Sequence, residues 1–209
     1  MISELKSQWL ELSSKYFEDE LITEIYCKEI IEQYASKKRY YHNLSHLQNM
    51  FKQLDKFESE IIDLDALKFA IWYHDIIYKS TKKDNEEESA ILAKKRLKSS
   101  YFDEKRIKKV EKLIISTKKH QLILTKNDDN AYLLDLDLSI LGTDWNTYKN
   151  YIQNIRKEYK IYPKFMYNPG RKKVLNHFLE RETLFFTDAF QIKYEKRARE
   201  NLKKEIKLL

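Results

Sequence analysis

The sequence predicts an all-α fold, a helical bundle of about 8–10 helices, and three observations carry that expectation. The 209 residues include only 2 glycines and 2 prolines, too few for a turn-rich sheet protein. Apolar residues recur three and four positions apart along almost the whole chain, whereas no segment alternates convincingly as a strand does. Finally, 15 Tyr and 10 Phe stand in a chain that is 35% charged, the composition of an aromatic core beneath a dense ionic surface.

Each element has its own warrant. Residues 1–16 carry a stripe of Ile2, Leu5, Trp9 and Leu12, and residues 19–36 repeat it with Leu21, Ile22, Ile25, Tyr26, Ile30 and Tyr34. Residues 36–43 read as a loop entering a helix with Leu44, Leu47, Met50, Phe51, Leu54 and Phe57. Asp63 or Asp65 caps a central helix that runs to about Tyr78, and a polar loop follows at 79–83. Asp84 with Glu87 has capping-box spacing, and Asp103 caps a helix containing Ile107, Val110, Leu113 and Ile114. A polar loop near Thr125–Asn130 leads into Ala131–Leu141, with Gly142 placed as its stop. Trp145, Tyr148, Tyr151, Ile152, Ile155 and Tyr159 mark another helix, Pro163 and Pro169-Gly170 a break, and 171–183 and 187–207 two last helices. The expectation is one helical domain over residues 1–209, with a core of about 36–160 and residues 163–209 as a C-terminal helical extension.

The net charge of +7 comes mostly from lysines scattered along the chain. Scatter is the mark of a solvated surface, and nucleic acid is the disfavoured partner because its footprint needs the charge on one face. An anionic small substrate suits the balance. Cys27 is the single cysteine, so no internal disulfide forms and a reducing compartment fits. With neither a signal-like N-terminus nor an apolar run of membrane-spanning length, the expected location is cytoplasmic, with no membrane partner.

The polar residues that break the apolar faces carry the chemistry. In Ile71-Trp72-Tyr73-His74-Asp75-Ile76-Ile77-Tyr78 a histidine and an aspartate sit inside an apolar and aromatic run. A buried carboxylate needs a positive partner, and a divalent metal uses an imidazole and a carboxylate together. A core histidine bonded to a carbonyl, beside a salt-bridged aspartate, is the structural reading of the same pair. His42 and His46 are four apart and share a face if one helix covers both. Asp135 and Asp137 point about 200° apart on a helix, so they do not serve one ion together. Asp137 is flanked at helical spacing by Leu133, Leu134, Ile140 and Leu141, which makes it the better ligand and leaves Asp135 to a supporting or surface role. Such a nitrogen and oxygen set suits Mn, Fe, Co, Ni or Zn, with positions left for water and substrate.

In order, His46, His74-Asp75 and Asp137 resemble the H…HD…D signature of the HD superfamily of metal-dependent phosphohydrolases. Tyr41-His42-Asn43-Leu44-Ser45-His46 also resembles the Y-H-N-x-x-H motif of the cyclic nucleotide phosphodiesterases. The pattern is most similar to a bacterial group described as predicted HD phosphohydrolases, matched here at Tyr41–His46, at His74–Tyr78 with Asn85–Ala90, and at Thr117–His120, Asp135–Gly142 and Ile155–Tyr159. The resemblance implies an HD-type helical bundle, with His46, His74, Asp75 and Asp137 as metal ligands and His42 as the acid that protonates the leaving oxygen. Asp75 would also orient the attacking water. It implies hydrolysis of a nucleotide or other small phosphoester by a metal-activated water, with one divalent ion and a second left open. A non-catalytic HD-fold module that senses or binds nucleotides is the alternative. Tyr78 stands where the phosphodiesterases carry a histidine, which weakens a cyclic nucleotide assignment. Asn85, Glu86, Lys118, His120, Arg156 and Arg171 are further candidates for contacts to the metal's water or to phosphate, each with an ordinary surface or capping reading beside it.

Overall fold

The computed structural model describes residues 1–124 and 129–209. Part of the polar loop expected near Thr125–Asn130 therefore lies outside the described residues. Among the described residues there are ten α-helices of nine residues or more and no strand, as the composition predicts. None is long and apolar enough to cross a membrane. The chain falls into two compact units, Met1–Leu133 and Leu134–Leu209. Their division lies within a helix, not at Pro163.

The first unit contains α1 (Ile2–Ser13), α2 (Glu20–Tyr34), α3 (Leu44–Leu54), α4 (Leu64–Tyr73), α5 (Asn85–Leu97), α6 (Glu104–Thr117) and the start of α7 (Asn130–Leu138). Side chains set the helix starts by satisfying N–H groups that have no partner within the helix. Asp19 accepts from Leu21 and Ile22, Asn43 from Ser45, Asp63 from Ala66, and Asp103 from Lys105 and Arg106. Asp84 makes no such bond, and Glu87 pairs instead with Lys118, so the expected capping box is absent. The core is aromatic. Trp9 meets Phe69, Trp72 and Tyr73 edge to face, with ring centroids 5.8–6.1 Å apart. Two buried polar residues tie loops to this core. Asp129 accepts from the N–H groups of Ile62 and Asp63 and pairs with Lys109. The Asn130 amide oxygen accepts from Ile123 and Leu124.

The central helix ends earlier than expected, at Tyr73 instead of Tyr78. His74 donates its backbone N–H to Ala70 as the C-cap, and the chain then turns. Beyond it the main chain finds tertiary partners in place of helical ones. The Asp75 N–H donates to the Tyr34 hydroxyl, the Ile77 N–H to the Ser89 hydroxyl, and the carbonyls of Asp75 and Ile76 accept from Arg39.

The second unit continues from α7 through a 3₁₀ turn (Ser139–Gly142), α8 (Trp145–Glu158), α9 (Lys164–Leu179), a single turn (Asp188–Phe190), a π-helical turn (Gln191–Glu195) and a last helix (Lys196–Leu208). Pro169 lies inside α9, so Pro169-Gly170 is not a break. Its missing N–H forgoes one bond near the helix start, to the carbonyl of the exposed Phe165. Gly142 does not end its helix through a left-handed conformation, because no glycine has positive φ. A Cβ at Gly142 would instead fall inside the Tyr194 side chain, so the glycine is there for close approach.

The polar centre of this unit is buried. Arg171 pairs with Glu205 at 2.7 Å, the Tyr148 hydroxyl donates to the same carboxylate, and Glu205 is 0% exposed. Asp135, also 0% exposed, accepts from the N–H groups of Phe186 and Thr187 and from the Thr187 hydroxyl. Burial pushes its carboxyl up to about 7 against those bonds. Of the two readings of Asp135, the surface one is thereby corrected. The residue is a buried anchor for the 186–187 backbone, a role that periodicity on its own helix does not reveal.

Candidate metal centre

Three side chains of the first unit converge. His46 belongs to the first turns of α3, while His74 and Asp75 occupy the turn that closes α4. The Nε2 atoms of His46 and His74 are 3.2 Å apart, and Nε2 of His74 is 3.3 Å from Oδ2 of Asp75. One potential ligand atom from each of the three lies within 4.8 Å of the others. The histidines are 4% and 1% exposed, and the Asp75 side chain 13%.

The second nitrogen of His74 gives the arrangement its chemical sense. Nδ1 lies 2.8 Å from the Ile71 carbonyl, which can only accept, so Nδ1 carries the proton and, in the neutral ring, Nε2 is left with the lone pair. A backbone carbonyl that fixes the tautomer in this way is the usual support of a metal-binding imidazole. Donor atoms at 2.0–2.2 Å from one tetrahedral ion stand roughly 3.3–3.5 Å from each other. The 3.2 Å and 3.3 Å separations suit that geometry. The three residues could therefore hold a metal ion.

His42 is not on the helix with His46, because α3 begins only at Leu44. It belongs to the preceding loop, and its ring is nonetheless 6.1 Å from the His46 ring. It stacks on Tyr78 with centroids 4.2 Å apart, and Tyr41 meets it edge on. Glu86 is half-buried in the first turn of α5, where burial and then the Asp75 carboxylate raise its acid above the usual range. Glu86 is therefore a softer candidate whose acid responds to the charge of Asp75.

The others are placed differently. Asn85 spends both ends of its amide on Lys79, accepting from its N–H and donating to its carbonyl, and so closes the 79–85 loop. Lys118 is paired with Glu87. His120 sits in the turn after α6 with φ 46°, its N–H given to Thr117. Arg156 caps its own helix end, donating to the carbonyls of Tyr159 and Tyr162. Arg171 is held by Glu205 and Tyr151. Asn85 and Arg156 are thus engaged by local backbone, and Arg171 by a buried carboxylate. Asp137 is half-buried on α7 in the second unit, where its charge is one of those felt by the Tyr151 hydroxyl.

Sequence reasoning offered Arg39 only as a cation that could hold phosphate by charge, and missed it as a structural member of this centre. It is 7% exposed and donates to the carbonyls of His42, Asp75 and Ile76. In Ser36-Lys37-Lys38-Arg39 nothing distinguishes it from its solvated neighbours. Tyr34 and Ser89, which take up the turn's N–H groups, carried no signal beyond helical periodicity. No protein-family model, curated protein or solved structure matches the chain.

Proposed function

We propose that the chain is a metal-dependent phosphohydrolase acting on a nucleotide or another small phosphoester. The observation that carries the reading is the convergence of His46 Nε2, His74 Nε2 and the Asp75 carboxylate in the first unit. The reaction class comes from the resemblance to the HD pattern, which also supplies Asp137 as a further ligand. When bound, a divalent ion supplies Lewis acidity toward a phosphoryl group and water. The imidazoles of His46 and His74 and the carboxylate of Asp75 would hold it, and Asp75 would orient the attacking water. His42, stacked on Tyr78 beside His46, delivers the proton to the leaving oxygen. A mixed nitrogen and oxygen donor set favours Mn, Fe, Co, Ni or Zn over Mg or Ca.

The test is metal analysis of the purified protein, followed by turnover of a nucleotide and phosphoester panel with each of these metals in turn. About one equivalent of metal per chain and turnover that disappears in His74→Ala are expected. If no metal form of the wild type exceeds His74→Ala on any substrate, the hydrolase reading is overturned. Nucleotide binding without turnover would identify a sensing module instead.

A further inference from the structure

Arg39 is a buried cation whose hydrogen-bond acceptors, among the described residues, are main-chain carbonyls. Burying a cation is costly, so its place needs a reason. The carbonyls belong to two separate segments. One is His42, in the loop that enters α3 and so leads to His46, at 3.3 Å. The others are Asp75, at 2.5 Å, and Ile76, at 2.7 Å, in the turn that carries His74 and Asp75. Two tyrosines fix the plane of the guanidinium, with its central carbon 4.8 Å from the Tyr34 ring and 5.6 Å from the Tyr78 ring. Both rings belong to the same assembly. The Tyr34 hydroxyl accepts from the Asp75 N–H, and Tyr78 stacks on His42.

From this we infer that Arg39 is a positioning residue that sets the spacing between the His42–His46 side and the His74–Asp75 side of the metal centre. The inference rests on the metal reading above. Geometry explains why the residue is arginine. Two different nitrogens of one rigid plane reach carbonyls on two chain segments, and the flat face lies against aromatic rings. Lysine offers a single nitrogen on a flexible stem and can keep the charge without keeping the fork. The supporting contacts are to backbone, so their effect on the metal passes through the segments that carry the ligands.

The experiment is a Co²⁺ titration of the full chain, read by calorimetry and by the visible absorption of the bound ion. Arg39→Lys and Arg39→Gln are compared with Arg96→Lys. Arg96 is a suitable control because it is also a two-pronged, tyrosine-stacked guanidinium of the first unit, but its fork is engaged by Glu29. Circular dichroism checks that each variant is folded, and the Gln variant serves if the Lys variant is not. The expected result is a loss of Co²⁺ affinity of about 10–100-fold in the Arg39 variants, with an altered spectrum, and wild-type values for Arg96→Lys. Wild-type affinity and spectrum in a folded Arg39 variant overturn the inference, as does an equal loss in Arg96→Lys, which would make the effect one of general stability. A wild-type protein that takes up no cobalt fails at the earlier step and overturns the metal reading, and this inference with it.

Discussion

Nε2 of His46 stands 3.2 Å from Nε2 of His74, although the two residues come from different helices. Two imidazoles so placed gain most from an ion that accepts both lone pairs. With metal at about 100 times its dissociation constant, the wild type should gain about 2.7 kcal/mol of stability. His46→Ala and His74→Ala should gain almost none under the same conditions. Thermal shift with and without metal measures the difference. An undiminished shift in either variant would remove that residue from the ligand set.

Arg171 and Glu205 form a buried pair, with side chains 11% and 0% exposed. Removing one partner leaves an uncompensated buried charge, so Glu205→Leu alone should cost about 3–5 kcal/mol. Arg171→Met with Glu205→Leu should cost less than the sum of the two single changes, because neither charge is then stranded. Urea unfolding of the four proteins closes the cycle. Strict additivity would show that the pair does not act as one.

Asp63 links stability to acid. Burial pushes its carboxyl up, but the Arg106 guanidinium and the Ala66 N–H outweigh burial and hold it below its ordinary value. A carboxyl depressed in the folded state adds stability that is present above its unfolded value, about 3.9, and is lost as pH falls through the folded value. Asp63→Asn should therefore cost about 2 kcal/mol at neutral pH, and the gap to wild type should narrow below about pH 4. Unfolding free energies at a series of pH values test this. A gap that stays constant into acid would assign the cost to something other than the charge.

Gly142 is pressed against Tyr194, and a side chain there has no free space. Gly142→Ala should destabilise by about 1–3 kcal/mol, since both the side chain and the carbonyl of Tyr194 would have to move. An unchanged urea midpoint would show that the 3₁₀ turn and the π-helical turn shift apart at little cost.

The helices were legible in the sequence because their apolar stripes repeat and because Asp63 and Asp103 precede them, and both caps are formed. His74 and Asp75 stood out as polar groups in an apolar run, whereas His46 entered only through its spacing from His42 and the resemblance. What stayed hidden depends on partners far along the chain. The end of α4 was misplaced because Tyr34, Arg39 and Ser89 take the backbone groups that a longer helix would have used. Asp135 looked peripheral until Phe186 and Thr187 supplied its donors. The proline rule failed at Pro169, where one forgone bond near the start of α9 is tolerated.

The early end of α4 has an electrostatic consequence. The aligned peptide dipoles of a helix leave about half a negative charge at its C-terminus. His74 caps that terminus, and Asp75 follows it. The guanidinium of Arg39 already occupies the carbonyls just beyond. The backbone thus makes this end of α4 attractive to cations before any side chain is counted, which explains how a buried arginine rests there on carbonyls. An ion held by His46, His74 and Asp75 would share that negative end with the guanidinium, so α4 itself would help offset the repulsion between the two.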